Sequence, residues 1–342
     1  MNLESCSLFE YRDGLHLRDT VLWFDAPKPR QFCFISHALI PNAFCHKQTL
    51  STGSTAELLW AMASAHGKGR RVHEPKALIT PYNRTLSIGE MRLTLIPAGH
   101  LLGSASLFIE YRGQRILYAG HINPQHGVFC EKMEIRPCDL LILPCALSAN
   151  RNFLFPPRDD TERALVRFVS QAFTEGVPPI LFCSSLGEPQ EVMRLMAREG
   201  IRVVAHREIF SACSVYTKHA PVSLNMSNVH QYSRRCDPKQ REVLIWPIRL
   251  RWSPSLQRFP SARTAFLSDF SLYKGIRKEL ACDTSFALGT HADYSRLLEY
   301  VRTCAPKQVL VTGATSQDLV ADLQALGMAI SQIGPQEQLA LF

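Results

Sequence analysis

The stretch that decides the fold is residues 97–123, which read PAGHLLGSASLFIEYRGQRILYAGHIN. The apolar runs at 106–111 and 115–118 flank a short polar triplet, and this pattern predicts two strands joined by a tight hairpin. A histidine stands near each end of the stretch, His100 and His121, and a glycine precedes each of them. Small neighbours allow loops to converge on one point, as a metal centre requires.

Two further histidines follow the same pattern elsewhere in the chain. His37 comes directly after the apolar run 31–36 in FISHALIPN, and His291 lies in GTHAD, between Thr290 and Ala292. One histidine of this kind is most often structural. Four of them, each at a predicted strand end or helix start, indicate a shared cleft.

The composition is that of a globular protein. The chain has 342 residues, of which 46% are hydrophobic and 20% are charged, so it is long enough for one large domain or two ordinary ones.

No apolar run approaches the roughly 20 residues that a membrane-spanning helix needs. No basic segment followed by an apolar one opens the sequence, so we expect no secretory signal. The 11 cysteines form no CxxC pair, which is typical of free thiols in a reducing compartment. We therefore expect a cytoplasmic protein with no membrane partner.

The net charge of +8 has a local source. Residues 232–263 contain eight basic side chains against Asp237 and Glu242, with Trp246 and Trp252 among them. Basic residues interleaved with aromatic rings suit a polyanion whose bases can stack. The alternative is a solvated, proline-interrupted surface segment. The candidate nucleic-acid contacts are Arg234, Arg235, Lys239, Arg241, Arg249, Arg251 and Trp252.

Hydrophobic periodicity predicts a β-rich first part that passes into α/β units after about residue 155. Strands are predicted at 21–24, 31–36, 91–96, 106–111, 115–118 and 140–143. Helices are predicted at 55–65, 161–174 and 190–198, and the chain ends as helix 297–303, strand 308–312 and helix 317–326. The Pro-, Arg- and Ser-rich stretch 228–261 is expected to form loops and edge strands.

Three motifs resemble the metallo-β-lactamase superfamily, in its nucleic-acid-processing β-CASP branch. The stretch 97–123 is similar to that branch's GH-x-LGSA … G-x-x-I-x-x-(S/T)GD pattern. FCSSLGEPQEVMRLM (182–196) looks like its FALG-x-x-QE strand and helix, and THADYSRLLEYV (290–301) resembles its (S/D)HAD segment. The turn DAPKP (25–29) and the compact length are most similar to the bacterial ligase-associated DNA exonucleases. The similarity extends over nearly the whole chain.

This resemblance implies an α/β fold. It would be an αββα metallo-β-lactamase sandwich with an inserted β-CASP-like α/β cap domain, with the metal cleft at one sheet edge and substrate running between the two parts. Residues 1–154 and 280–342 would form the sandwich, and residues 155–279 would form the cap.

The family's metal site is degenerate when it is carried over onto this sequence. Its first motif, His-x-His-x-Asp-His, falls on His37, Leu39, Pro41 and Asn42. The third-motif histidine is His100, and the bridging aspartate is replaced by His121. A further acidic position falls on Pro144 and the last histidine position on Gly313, whereas His291 and Asp293 are kept.

Two-metal phosphodiester cleavage needs carboxylates that bridge the ions, so we expect no dinuclear site. The three imidazoles of His37, His100 and His121 suffice for one zinc ion with an open position, where the pKa of a bound water could fall towards 7. The alternative is a dry cleft of hydrogen-bonded histidines. The cofactor expectation is therefore none or one zinc ion, with His291 and Asp293 as the catalytic candidates if the chain is active.

Two hypotheses about function follow. The first is a pseudo-nuclease that binds nucleic acid, with DNA favoured over RNA, or that scaffolds a DNA- or RNA-processing complex, as in DNA repair. Its protein partner would be a helicase, a ligase or an active nuclease subunit. The second is a divergent mononuclear exonuclease that uses the three-histidine site. Loss of the bridging carboxylates favours the first hypothesis, and the ligand-type replacement at His121 favours the second.

Overall fold

The computed structural model of the protein describes residues 8–65, 76–125, 127–145, 150–233, 241–313 and 316–334. Its contacts divide the chain into two compact units. Unit 1 comprises Met1–Trp60, Gly69–Leu154 and His291–Ala340, and unit 2 comprises Ala61–Lys68, Phe155–Thr290 and Leu341–Phe342. Almost all of unit 2 is therefore one continuous stretch, inserted in the sequence between two parts of unit 1.

Unit 1 contains two sheets. Within the described residues, the first consists of β1 (Phe9–Tyr11), β2 (Leu15–Leu17), β3 (Leu22–Phe24), β4 (Phe32–Phe34), β5 (Gln48–Ser51) and β6 (Lys76–Ile79), side by side in chain order. The pairs β1–β2 and β2–β3 are antiparallel, and from β3 to β6 the strands pair in parallel. Helix α1 (Gly53–Ala65) follows β5 directly.

The second sheet has the order β19-β18-β11-β10-β9-β8-β7. Its strands are β7 (Thr85–Ile88), β8 (Met91–Pro97), β9 (Ala105–Tyr111), β10 (Gln114–Tyr118), β11 (Leu140–Cys145), β18 (Gln308–Gly313) and β19 (Ala329–Ile333). The predicted hairpin is confirmed: β9 and β10 pair antiparallel, and both Arg112 and Gly113 at the tip have positive φ. Parallel pairing of β11 with β18 brings the end of the chain back beside its middle.

The two sheets of unit 1 share one hydrophobic core. Phe34 and Leu50 from the first sheet lie in the same buried cluster as Leu93, Leu107 and Ile116 from the second. These strands alternate in the direction of their side chains, so each sheet also presents a second apolar face.

The outer faces of both sheets pack against helices. On the second sheet, Leu141 and Val309 form a buried cluster with side chains of α6 (Tyr294–Cys304) and α7 (Gln317–Ala325). On the first sheet, Ile35 packs with Leu59 of α1. Helices thus cover part of the outer face of each sheet.

Unit 2 is built on a parallel sheet of order β14-β13-β15-β12-β16-β17. Its strands are β12 (Pro179–Cys183), β13 (Arg202–Ala205), β14 (Val229–Gln231), β15 (Glu242–Pro247), β16 (Arg263–Leu267) and β17 (Thr284–Phe286). Its helices are α2 (Arg158–Thr174), α3 (Glu188–Arg198), α4 (Arg207–His219) and α5 (Ile276–Leu280).

The FCSSLGEPQE motif forms the connection from β12 to α3. Gly187 has φ +88°, a conformation that favours glycine, and its N–H donates to the side-chain oxygen of Gln190 over 2.7 Å. This contact is half of a capping box, which begins the helix at Glu188.

The expectation for residues 228–261 is wrong in one important respect. Strand β14 lies at the sheet edge, but Glu242–Pro247 is a central strand in which every residue is buried. The run VLIW is continuously apolar because parallel strands bury both faces, and the charged residues around it hide this signal. Trp246 is only 1% exposed and belongs to the core, so it cannot stack on a nucleobase.

Among the described residues, no helix is both long enough and apolar enough to cross a membrane.

Candidate metal centre

Four imidazoles converge in unit 1. One nitrogen from each of His37, His100 and His121 lies within 4.8 Å of the others. The ring of His291 lies 4.3 Å from that of His100 and 4.8 Å from that of His121, between centroids. His37 and His100 are each only 3% exposed. The structure therefore brings the four sequence-predicted histidines into one largely buried cluster.

The loop that carries His100 is held by the other residues of its motif. The hydroxyl oxygen of Ser104 accepts the N–H groups of His100 and Leu101, each over 3.1 Å. The carbonyl of Gly103 accepts the hydroxyls of Thr52 and Thr55 over 2.6 and 2.8 Å at the start of α1. These bonds satisfy the polar groups of a buried turn and fix its position against the helix.

Gly103 has to be a glycine at this point. Its φ is +78°, and a Cβ there would lie 2.7 Å from both Cβ of Ser54 and the backbone nitrogen of Thr55. Any side chain would push the loop off the start of α1. Glycine is thus needed here for two reasons: it adopts a positive φ without strain, and it lets the backbone approach the start of α1 closely.

His37 is positioned by a buried carboxyl group on the neighbouring loop. Asp25 accepts the N–H of Ser36 over 2.8 Å and the hydroxyl of Tyr118 over 2.9 Å. Burial raises the pKa of Asp25 to about 6, although these hydrogen bonds act in the opposite direction. The contact ties the DAPKP turn to the end of the strand that delivers His37.

The ring of His37 is held in one tautomer by the backbone. The N–H of Leu39 donates to Nδ1 of His37 over 3.1 Å, so Nδ1 must have a free lone pair and the neutral ring carries its proton on Nε2. Within the described residues, Nε2 is buried and has no hydrogen-bond partner. Burial, with His291 nearby, lowers the pKa of His37 to about 3, so the ring is neutral.

His121 and His291 share a hydrogen bond. Nδ1 of His121 lies 2.9 Å from Nε2 of His291, so one of these nitrogens donates and the other accepts. Burial, together with His37 and His291, holds the pKa of His121 well below its ordinary value. When His121 is the donor, its Nε2 keeps a lone pair for another contact.

In composition and spacing, the three-histidine group could hold a metal ion. Imidazole nitrogen is a preferred ligand of zinc, with Zn–N bonds of about 2.1 Å, and the side chains would move slightly inwards to reach it. The protonation state of His37, however, does not fit that of a metal ligand. Its Nδ1 lone pair accepts the Leu39 amide, and its Nε2 carries a proton, so neither nitrogen can ligate until that bond is broken.

The other positions of the family's first motif lie apart from this chemistry. Pro41 and Asn42 are exposed, and the side-chain amide of Asn42 donates to the carbonyl of Pro27 over 3.3 Å. Asn42 has φ +59°, which begins a short 3₁₀ turn. This loop presents no carboxylate, and Gly313 at the end of β18 has no side chain to contribute.

Asp293 has a structural partner for each of its oxygens. It caps the start of α6, where Oδ1 accepts the N–H of Arg296 over 2.9 Å and Oδ2 pairs with the Arg296 guanidinium over 3.1 Å. Both carboxylate oxygens of Asp293 thus stabilise the start of α6.

The basic candidates separate into two groups. Arg234, Arg235 and Lys239 lie outside the described residues. Arg249 pairs with Glu208, a residue that is only 4% exposed. The guanidinium of Arg241 lies over the ring of Phe173, 5.3 Å from its centroid, and that of Arg251 lies 5.4 Å from the ring of Trp252.

Sequence reasoning missed Asp25, Ser104 and Gly103 as positioning residues. The signal for Ser104 and Gly103 was present, since both belong to the quoted GHLLGSA motif. The signal for Asp25 was the DAPKP turn, in which a buried carboxyl group follows the apolar strand β3.

No protein-family model matches the chain. The chain is 26% identical over 340 residues, 97% of its length, to a "Probable DNA ligase" of Opitutus terrae, of which it spans 32%. It is 31% identical over 101 residues to an "RNase J-like protein" of Methanocaldococcus jannaschii, which covers 29% of this chain and 24% of that protein. It is 28% identical over 118 residues to "Endoribonuclease ysh1" of Aspergillus fumigatus, 34% of this chain and 13% of that protein. The chain thus spans a third or less of the length of these relatives.

A solved structure shares the fold. A protein of unknown function from Enterococcus faecalis matches 90% of this chain and 80% of its own, with a TM-score of 0.58 and 11% sequence identity. These sequence similarities support the resemblance of the motifs at 97–123, 182–196 and 290–301 to the metallo-β-lactamase superfamily, in its β-CASP branch.

Proposed function

We propose that the protein is a pseudo-nuclease: a member of the β-CASP nucleases, nearest to the ligase-associated DNA exonucleases, that binds nucleic acid without cleaving it. In this proposal unit 1 is the αββα sandwich and unit 2 is the inserted cap, to which β17 (Thr284–Phe286) belongs because it pairs with β16. The protein acts in the cytoplasm on DNA in preference to RNA. It serves a repair or processing complex beside a helicase, a ligase or an active nuclease subunit.

The hydrogen bond from the Leu39 amide to His37 carries the proposal. In a metal-loaded site this ring has to offer a lone pair to the ion, and here the lone pair of Nδ1 accepts the Leu39 amide while Nε2 carries the proton. The aspartate of the family's first motif is replaced by Pro41 and the bridging aspartate by His121, so neither position holds a carboxylate. Hard-metal phosphodiester chemistry has lost its ligands at these positions.

Two observations support the proposed affinity for nucleic acid: the net positive charge of the chain and the names of the relatives that match it. The chain has a net charge of +8, and phosphate contacts dominate the affinity of proteins for nucleic acid. Relatives that match it are named as a DNA ligase and as ribonucleases. A scaffold without catalysis keeps this affinity and the family's fold.

The test measures binding and cleavage with the same labelled substrates. Single- and double-stranded DNA and RNA are titrated with protein at several salt concentrations, and degradation is followed with Zn²⁺, Mn²⁺ or Mg²⁺ supplied. We expect binding that weakens as salt rises and no degradation above background. Robust turnover that is lost in His100→Ala or His121→Ala would overturn the proposal.

One observation favours a second candidate, a mononuclear nuclease. The nitrogens of three histidines lie within 4.8 Å of one another, which is the donor set of a zinc site with an open position. Metal analysis of the purified protein separates the two candidates. One equivalent of zinc, retained on dialysis and absent from His100→Ala, supports the nuclease; substoichiometric metal in both proteins supports the pseudo-nuclease.

A further inference from the structure

We propose that unit 2 contains a pocket for a single unstacked nucleobase, with Trp252 as its stacking platform. This inference rests on the proposed affinity for nucleic acid and names the form of nucleic acid that is bound. It concerns a site in unit 2, which is separate in sequence from the histidine cluster of unit 1.

The pocket is a cavity of about 170 Å³ on one face of the parallel sheet. Ile180 and Phe182 of β12, together with Phe259 and Leu280, are apolar residues of its lining. Arg251 and Trp252 also line it. The lining thus combines apolar side chains with a cation beside an aromatic ring, which is the combination that recognises a base in a single strand.

Trp252 is unusually accessible. It is 70% exposed, more than any other large apolar side chain that is exposed in the described residues. The guanidinium of Arg251 lies 5.4 Å from its ring centroid. An exposed tryptophan without a ligand leaves a large apolar surface in water, and stacking a base on it removes that surface.

The charge around the pocket favours a polyanion over an apolar peptide. Exposed basic side chains lie on the two segments that wall the cavity, Arg258 at the end of the short 3₁₀ segment Pro254–Arg258 and Arg277 and Lys278 on α5. These three cations outnumber the exposed Glu279 of α5, and Asp283 accepts the N–H and hydroxyl of Thr264 over 2.7 and 3.0 Å. The phosphates that flank a bound base would therefore meet cations.

The size of the pocket selects single strands. A cavity of about 170 Å³ is smaller than the usual ligand site of about 300–1,000 Å³, so it takes one planar ring rather than a whole nucleotide. Bases in a duplex are stacked and paired and can enter such a pocket only after they are extruded. We expect single-stranded DNA or RNA to engage Trp252 and duplex to engage only the basic surface.

The experiment compares Trp252→Ala, Trp252→Phe and the control Trp60→Ala, which removes another exposed tryptophan, from α1. Each protein is titrated with a labelled oligothymidine and with an abasic strand of the same length and charge. Base–aromatic stacking is worth about 1–3 kcal/mol per base, so Trp252→Ala should bind oligothymidine roughly 5- to 150-fold more weakly. Trp252→Phe should retain most of the affinity. None of the variants should change binding of the abasic strand.

The outcomes separate this inference from the proposed function. Equal binding of oligothymidine by wild type and Trp252→Ala, with wild-type affinity intact, overturns the pocket and leaves the pseudo-nuclease standing. An equal loss on the abasic strand assigns Trp252 to backbone contact and also overturns it. If the wild type binds no oligonucleotide of either kind, the proposed function and the pocket fail together.

Discussion

The amide of Leu39 and the imidazole of His37 form a hydrogen bond of 3.1 Å in which the ring nitrogen Nδ1 is the acceptor. This contact spans two residues and decides the proton position of the ring, because a neutral imidazole that accepts at one nitrogen carries its proton at the other. A main-chain group thus opposes metal binding at a position where the sequence shows an intact ligand.

The first prediction concerns that tautomer. In the wild-type protein at neutral pH, His37 should be neutral, because burial lowers its pKa to about 3, and it should carry its proton on Nε2, because Nδ1 accepts the Leu39 amide. A long-range ¹H–¹⁵N spectrum of histidine-labelled protein, assigned with His37→Gln, reports which nitrogen is protonated. Detection of the Nδ1–H form, or of a ring whose proton moves to Nδ1 when zinc is added at stoichiometric concentration, would contradict the pseudo-nuclease reading.

The second prediction concerns Asp25 and pH. Its pKa is about 6 in the folded protein and 3.8 in the reference state, so the folded state binds more protons between these values. The free energy of unfolding should therefore fall as pH rises through this window, by up to about 3 kcal/mol, and be level above it.

The measurement for Asp25 is urea unfolding at a series of pH values in wild type and Asp25→Asn. Other groups titrate in both proteins, so the difference between the two curves isolates Asp25. The asparagine variant should gain stability relative to wild type as the pH rises from about 4 to about 6. If the difference in the free energy of unfolding between the two proteins stays constant with pH, the carboxyl group of Asp25 does not cause the pH dependence.

The third prediction separates close packing from backbone strain at a glycine. Gly103 and Gly113 have nearly the same φ, +78° and +74°, but a Cβ would clash only at Gly103, since nothing lies within 4 Å of one at Gly113. Gly113→Ala should cost about 1–2 kcal/mol for the left-handed conformation alone. Gly103→Ala should cost a further 1–3 kcal/mol for overpacking against α1. Chemical denaturation measures both, and equal losses would refute the close-approach explanation of the motif.

The fourth prediction revises the expected role of Arg249. Because Arg249 pairs with the buried Glu208, Arg249→Ala should reduce stability by about 1–3 kcal/mol, since it leaves a desolvated charge. It should leave the salt dependence of nucleic-acid binding nearly unchanged. The double variant Arg249→Ala/Glu208→Gln should recover part of the lost stability, as in a double-mutant cycle. A flattened salt slope without loss of stability would instead make Arg249 a phosphate contact.

The convergence of the histidines was visible in the sequence for a local reason. His37, His100 and His121 each follow an apolar run at a turn of small residues, and strands of one domain end at common edges. The hairpin between β9 and β10 was visible for the same reason, because its turn lies between two regular apolar runs. Both features could be predicted because each depends on residues that are close together in the sequence.

The sequence could not reveal contacts that depend on the backbone or on distant partners. The role of Asp293 as a helix cap could have been read from its place before α6, but the family motif suggested catalysis instead. The partner of Arg249 lies 41 residues earlier in the chain, so its charge seemed free for nucleic acid. The N–H of Leu39 is a backbone group, so the residue type does not reveal its contact, and yet this contact occupies Nδ1 of His37.

The pairing of β11 with β18 has a consequence for the way the chain is made. Leu140 lies opposite Gln308, and nearly the whole of unit 2 is synthesised between them. The parallel sheet of unit 2 needs only residues 179–286, so it can close while the second sheet of unit 1 still lacks its edge. A nascent chain can therefore complete the sheet of the inserted unit before the second sheet of unit 1, and the histidine loop after β10 gains its last neighbour, His291, only after residues 179–286 have been synthesised.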